Sequence, residues 1–177
     1  AQPMSVTMND GVVICVEVDP DRVARKVEER WCDRMTASLD EALAWKDDAV
    51  AAKQPLSIGL VGNCAEVCAE LVRRGVTPDV VTDQTSAHDY LDYVPVGDLA
   101  AMRALRVSAP AEYICRSQSA IVQHTDAIQA MQIAGAIAFD YGNNLRGQAE
   151  LGGLCVRDAA GEFLYPGFVP AYVRPLF

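Results

Sequence analysis

The sequence lacks three features that would each indicate a class of protein. No stretch approaches roughly 18 consecutive apolar residues, which excludes a membrane-spanning helix of the usual kind. Basic residues are not in excess, since 15 Lys and Arg stand against 24 Asp and Glu with a net charge of −9, so no nucleic-acid interface is expected. The first residues show no basic region followed by an apolar one. We therefore expect no signal peptide and a cytoplasmic protein.

Histidine is scarce as well, with His88 and His124 the only two in the chain. Cys64 and Cys68 share one face of a predicted helix, but a zinc site would need two further ligands that neither histidine is spaced to supply, so no metal site is predicted. The six cysteines, without a secretion signal, are expected to be reduced and mostly buried. The length of 177 residues predicts one domain, residues 1–177.

Residues 57–89 carry the most regular pattern in the chain. A short apolar run at 57–61 is followed by Asn63, which can cap a helix, and by apolar or small residues at helical spacing. A second strand is predicted at 79–82. A strand–helix–strand unit of this length predicts parallel strands, and hence an α/β fold in which ligands lie beyond the carboxyl ends of the strands.

The rest of the chain alternates between apolar runs and helical patterns. The residues before position 11 give little signal, and a buried strand is predicted from Gly11 to the acidic residues that precede Pro20. A small hairpin is predicted from two apolar segments around Asp158 to Gly161, followed by an irregular tail. Helices are predicted over residues 21–33, 39–52 and 98–107, with a longer helical region, of one helix or two, from about 108 to 139.

The acidic end of the first strand has two readings. Glu17 or Asp19 could accept hydrogen bonds from the ribose of a dinucleotide, because the second strand of such sheets ends in a carboxylate. Alternatively, the acidic residues cap the helix that starts between Asp19 and Asp21. The residues alone favour the cap, because the sequence contains no glycine-rich fingerprint before this strand.

Three other residues are candidates for a site. His88 follows small polar residues at a strand end, where a general base, a cofactor contact and a plain loop histidine are equally plausible readings. His124 is predicted as a solvated residue on a helix, beside Gln123 and Thr125. Tyr141 stands next to Gly-Asn-Asn, a loop composition found both in ligand sites and in ordinary turns.

Several long stretches resemble one known family. They are VEVDPDR at 16–22, SIGLVGN at 57–63, ELVRRGVTPDVVTDQTSAHD at 70–89, FDYGNN at 139–144 and FLYPGFVPAYVRPLF at 163–177. Over essentially the whole chain the sequence is similar to urocanase, or urocanate hydratase, the second enzyme of histidine breakdown. The resemblance implies a Rossmann-like parallel sheet flanked by helices, which holds NAD within a homodimeric lyase that converts urocanate to imidazolonepropionate.

The resemblance also implies a set of cofactor-binding residues. Glu17 would bind the adenosine ribose with Arg22 nearby, while Tyr141 would close on the nicotinamide side. The other implied contacts follow the strands and the next loop: Asn63, Cys64, Gln84, Thr85, Ser86, Ala87, His88, Tyr93 and Val94. No catalytic residue and no metal ligand is implied within these 177 residues.

The family pattern further suggests that the sequence is part of a longer polypeptide, here called the parent. The resemblance places a glycine-rich phosphate loop and its strand before Ala1, and a catalytic cysteine and a substrate-binding arginine after Phe177. We expect a gap in the sheet where that strand would lie, and an inactive isolated chain. Two other functions remain open at this point: an NAD(P)-dependent dehydrogenase domain and a non-enzymatic nucleotide-binding module.

Overall fold

The structure is a computed structural model that describes residues 2–177. The chain divides into two compact units, Ala1–Val67 and Cys68–Phe177. Within the described residues, no helix is both long and apolar enough to cross a membrane. The single domain predicted from chain length stays a prediction.

The first unit is a three-stranded parallel sheet with helices. The strand order is β1-β3-β2, so β3 pairs with both of its neighbours. Ile58 and Leu60 of β3 are buried together with Ala42 and form the core. The elements are α1 (Gln2–Thr7), β1 (Val12–Glu17), α2 (Pro20–Glu28), β2 (Arg34–Thr36), α3 (Leu39–Ala52) and β3 (Leu56–Val61).

Local chemistry explains where the helices of this unit begin and end. Asp19 caps α2 by accepting a hydrogen bond from the backbone N–H of Asp21, and Ser38 caps α3 in the same way from Glu41. Helix α2 ends at Glu28, earlier than predicted, since Arg30 has a φ of 60° that no helix can continue.

The second unit is built around a two-stranded parallel sheet. Strands β4 and β5 run in register from Val80 opposite Ile137 to Asp83 opposite Asp140, and helix α6 packs against both. Helix α4 (Cys64–Arg73) starts in the first unit and continues into the second. The remaining elements are β4 (Val80–Asp83), α5 (Leu99–Ser108), α6 (Pro110–Ile133), β5 (Ile137–Asp140), α7 (Leu145–Leu151), a π-helical turn (Val169–Val173) and a 3-10 turn (Arg174–Leu176).

The α/β fold with a parallel sheet flanked by helices is confirmed, but several details of the prediction are wrong. β4 pairs with β5, a strand that lies where the prediction placed the end of a helical region. The long helical region is one helix that stops at Ile133, because Gly135 takes a φ of 111° and the chain then enters β5. The predicted hairpin is reduced to one antiparallel bridge, between Arg157 and Phe163.

The cysteines are also less buried than predicted. None of the six forms a disulfide, and only Cys32 and Cys68 are buried, while Cys115 and Cys155 are exposed. Burial raises the pKa of the half-buried Cys15 to about 12, so its thiol stays protonated and packs as an apolar group.

Candidate functional site

In the first unit, β1 and β3 end level with each other. Glu17 lies opposite Val61 in the register, and the N–H of Gly62 donates to the carbonyl oxygen of Glu17 at 3.0 Å. The residues that follow each strand therefore lie at the same edge of the sheet. This is the edge at which parallel sheets bind ligands.

The structure separates the roles of the two acidic residues after β1. Asp19 is the helix cap, as the structural reading predicted. Glu17 keeps a carboxylate at the strand end whose Oε1 accepts from the N–H of Asp19 at 3.1 Å and whose Oε2 lies 3.7 Å from Nη1 of Arg22. The side chain of Glu17 is 34% exposed, so the carboxylate is partly accessible to solvent.

Asn63 and Cys64 form the start of α4 at the same edge. Asn63 is buried, and its side-chain oxygen accepts from the N–H of Ala65 at 3.0 Å, so the predicted cap is confirmed. Cys64 is half-buried at the first helical residue. Glu17, Arg22, Asn63 and Cys64 thus form one group of predicted site residues, within the first unit.

In the second unit, both strands end in an aspartate that shapes the following loop. Asp83 Oδ1 accepts from the N–H of Thr85 at 3.1 Å and from its hydroxyl at 2.7 Å. Asp140 Oδ1 accepts from the N–H of Gly142 at 2.9 Å. Both carboxylates therefore close a tight turn just beyond the strand end, which bends the two loops in the same manner.

Asn143 connects these two loops. It is buried, and its amide Nδ2 donates to Oδ2 of Asp83 and, at 2.8 Å, to the carbonyl oxygen of Thr85. Its Oδ1 accepts from the N–H of Leu145 at 3.3 Å. One amide side chain therefore ties the loop after β5 to the loop after β4.

A cavity of about 300 Å³ opens beside these loops. This is at the lower end of the sizes found for small-molecule sites. It is lined by residues from the two loops, from the start of α7 and from one aromatic ring: His88, Asp140, Gly142, Asn144, Arg146, Gly147 and Phe163.

Arg146 supplies the positive charge of the cavity and is held on several sides. Its side chain is only 12% exposed and forms an ion pair with the buried Asp140. It also donates to the carbonyl oxygen of Tyr165, and its guanidinium lies 4.1 Å from the centre of the Phe163 ring. These contacts fix the guanidinium at the cavity wall.

The residues predicted around His88 differ in their exposure. Gln84, Ser86 and His88 are exposed, Thr85 is half-buried and Ala87 is fully buried. The side chain of His88 lines the cavity, and its carbonyl oxygen accepts from Nε2 of Gln148 at 3.2 Å. The loop therefore presents polar side chains while helix α7 holds its backbone.

Tyr93 and His124 lie inside the second unit. The hydroxyl of Tyr93 is 3.2 Å from Nδ1 of His124, and its carbonyl oxygen accepts from the Tyr113 hydroxyl and the Ser117 hydroxyl. His124 is 2% exposed, so the prediction of a solvated surface histidine is wrong. The phenol of Tyr93 is committed to this interior network, while Val94 is half-buried.

Tyr141 belongs to an aromatic cluster at the surface. Its ring centre is 4.9 Å from that of Phe168 and 5.8 Å from that of Phe139, and Tyr172 also contacts both phenylalanines. Tyr141 nevertheless remains 40% exposed. Its ring is thus held in place by neighbours while one face is accessible.

One comparison with known proteins decides the family. The model of the urocanase Rossmann-like domain matches residues 1–172 of the chain. This chain belongs to the urocanase family. The sequence resemblance and the Rossmann-like parallel sheet are thereby confirmed.

The urocanase domain contains a second set of polar residues that the sequence did not single out. They are Asp83, Asp140 and Arg146, and they lie in or beside the two loops of the second unit together with Asn143, which the sequence analysis had named only as part of the loop after Tyr141. Asp83 and Asp140 each end a strand, which is the signal that could have revealed them. Among residues 2–177, no three or more His, Cys, Asp and Glu side chains form a group able to hold a metal ion.

Proposed function

We propose that this urocanase domain binds NAD in a urocanate hydratase, which converts urocanate to imidazolonepropionate. The family match over residues 1–172 carries the proposal. The structure offers a suitable set of groups: an accessible carboxylate after β1, a helix start after β3, and polar loops after β4 and β5. The ends of parallel strands are where such sheets bind ligands, and a carboxylate at a strand end is the usual partner of the ribose.

The predicted residues have distinct tasks in this proposal. Glu17 accepts hydrogen bonds from the adenosine ribose hydroxyls, and Arg22 orients that carboxylate from the side. Asn63 and Cys64 present the start of α4 to the cofactor. The loop containing Gln84, Thr85, Ser86, Ala87 and His88, the segment at Tyr93 and Val94, and the ring of Tyr141 complete the contacts.

When bound, NAD supplies an electrophilic nicotinamide ring to which the imidazole of urocanate adds, without net hydride transfer. The chain's own residues position this chemistry and shield it from water. Tyr141, held by Phe139 and Phe168, packs against the reacting rings. His88 and Arg146 line the adjacent cavity, where they bind polar groups of the ligand.

We further propose that the parent is a cytoplasmic homodimer and that turnover requires residues outside these 177. The sequence resemblance implies that none of the six cysteines matches the family's catalytic cysteine. Two of them, Cys32 and Cys68, are buried and so are poorly placed to act on a substrate.

The composition of the purified parent tests this function. The protein is denatured with acid, and any released small molecule is identified by its ultraviolet spectrum and its mass. We expect NAD in near-stoichiometric amount. Parent that releases no nucleotide, and that neither binds added NAD nor consumes urocanate, would refute the proposal. Reduced nicotinamide accumulating on addition of substrate would instead indicate a dehydrogenase.

A further inference from the structure

The contacts of Asn143 are unusual for a loop residue. Its side chain is buried and makes three hydrogen bonds to groups on both sides of it. Two of the three reach across about 60 positions of the chain to the loop after β4, that is, to Asp83 and Thr85. A buried, fully bonded amide fixes the relative position of the segments that it joins.

The loops that Asn143 joins carry many of the predicted cofactor contacts. Thr85 to His88 follow Asp83 directly, and Tyr141 lies two residues before Asn143. Neither Asp83 nor Asn143 is accessible enough to touch a ligand through its side chain, since they are 4% and 8% exposed. Their effect on a ligand must therefore act through the loops.

We propose that Asp83 and Asn143 are positioning residues that hold the two loops in the arrangement that nucleotide binding requires. The inference rests on the proposed function for its ligand. The hydrogen bonds from which the inference is argued do not depend on that function, because they lie within the folded second unit. The pair acts as a clamp, and we refer to Asp83 and Asn143 together by that name.

The chemistry of the clamp makes it sensitive to charge. Asp83 accepts hydrogen bonds from the backbone N–H of Thr85 and from the amide of Asn143. A carboxylate can only accept, so the partner at position 143 must be a donor. Asn143→Asp would place two buried carboxylates against each other and remove the donor. The exchange Asp83→Asn with Asn143→Asp restores a donor and an acceptor across the contact between positions 83 and 143, with their sides reversed, but not the hydrogen bond to the carbonyl oxygen of Thr85.

The first experiment measures the loops directly in the 177-residue chain, with no cofactor present. Amide hydrogen exchange is followed by mass spectrometry for peptides covering residues 84–88 and 141–145. Asn143→Asp should speed amide hydrogen exchange in both segments. The double variant Asp83→Asn with Asn143→Asp, the exchanged pair, should slow the hydrogen exchange again. Gln123→Glu, which adds the same charge on the exposed side of α6, serves as the control and should leave both segments unchanged.

The second experiment measures the affinity of the parent for NAD by calorimetry in the same variants. Asn143→Asp and Asp83→Asn should each raise the Kd by about tenfold or more, the loss expected when a hydrogen bond to a charged group is removed. The exchanged pair should recover part of this loss, since only the contact between positions 83 and 143 is restored. Melting temperatures are recorded in parallel, because a purely structural role would lower stability without this recovery of affinity.

The outcomes separate the clamp from the function on which it rests. If the wild-type parent does not bind NAD, the proposed function fails. The hydrogen-exchange data still show whether Asp83 and Asn143 hold the two loops. If the wild-type parent binds and both single variants keep its Kd, the clamp is refuted. The clamp is equally refuted if exchange rises in only one of the two segments, or if the exchanged pair behaves no better than Asn143→Asp. Should Asn143→Asp not fold, Asp83→Asn and the exchanged pair decide the question in the same way.

Discussion

Two carboxylates at the end of β1 have different surroundings, and in our proposal one serves folding and the other binding. Asp19 caps α2, whereas Glu17 stands at the strand end with a partly accessible carboxylate beside Arg22. The sequence suggested both roles but could not assign them, because the choice depends on where α2 begins. Helix α2 starts at Pro20, immediately after Asp19, and this leaves Glu17 at the ligand edge of the sheet.

Glu17→Gln tests the binding role. The amide oxygen can still accept from the N–H of Asp19, so the fold should be kept, but the charge offered to the ribose hydroxyls is lost. We expect NAD binding by the parent to weaken by about 1.5–3 kcal/mol. The fraction of NAD that the variant retains after dialysis, compared with wild type, measures this weakening. Asp21→Asn, which alters an exposed carboxylate on α2, is the control, and equal retention in the two variants would remove Glu17 from the site.

His124 makes the stability of the chain depend on pH. Burial acts to lower the pKa of His124, but a hydrogen bond with Cys68 and the charge of Asp83 outweigh it, so the pKa is raised. The folded chain therefore holds this proton more tightly than the unfolded chain does. The resulting stability is fully present below the unfolded pKa of about 6.5 and is lost as the pH rises through the folded pKa.

His124→Gln should abolish this dependence. The difference in free energy of unfolding between wild type and variant should be largest at about pH 6 and should shrink as the pH rises. Urea unfolding at a series of pH values measures it, with His88→Gln as the control because His88 is exposed. A difference that stays constant across the series would show that folding does not raise the pKa of His124.

At the scale of elements, long periodic patterns were predicted well and short strands were not. Helix α3 was predicted with its observed bounds, and strand β3 within one residue. β2 and β5 were missed because they have three and four residues, too few for an alternating pattern to show. The face of α6 that holds His124 was also mistaken, since its exposed neighbour Gln123 suggested solvent although Thr125 is buried.

Gly59 lets α2 lie directly against β3. A Cβ atom at this position would come within 2.4 Å of Cγ1 of Val23, a buried residue of α2, so one of the two must move. Gly59→Ala should therefore destabilise the chain by about 1–3 kcal/mol, as overpacking does. Chemical denaturation measures the change.

Val23→Ala combined with Gly59→Ala is the matched test of that contact. Removing the two methyl groups of Val23 makes room for the new Cβ, so the double variant should lose less stability than the sum of the two single losses. If the losses add, the cost of the added Cβ does not come from its contact with Val23.

At the scale of the whole chain, the strands form two sheets, of three and two strands. The parallel class of the fold followed from the sequence, as did the position of the polar strand ends. The pairing partner of β4 could not be predicted from the sequence, because that partner is β5, a strand that the prediction missed. The Asp83–Asn143 contact could not be predicted either, since it joins residues 60 positions apart whose loops meet only after β4 and β5 pair.

The ultraviolet band of urocanate provides the most direct test of the account. Equal amounts of the parent and of the 177-residue chain are incubated with urocanate and NAD, and the absorbance of urocanate and of reduced nicotinamide is followed. We predict that the parent removes urocanate without forming reduced nicotinamide and that the chain alone leaves it unchanged. Accumulation of reduced nicotinamide, or a parent that binds NAD but leaves urocanate intact, would contradict the assignment of this domain to a urocanate hydratase.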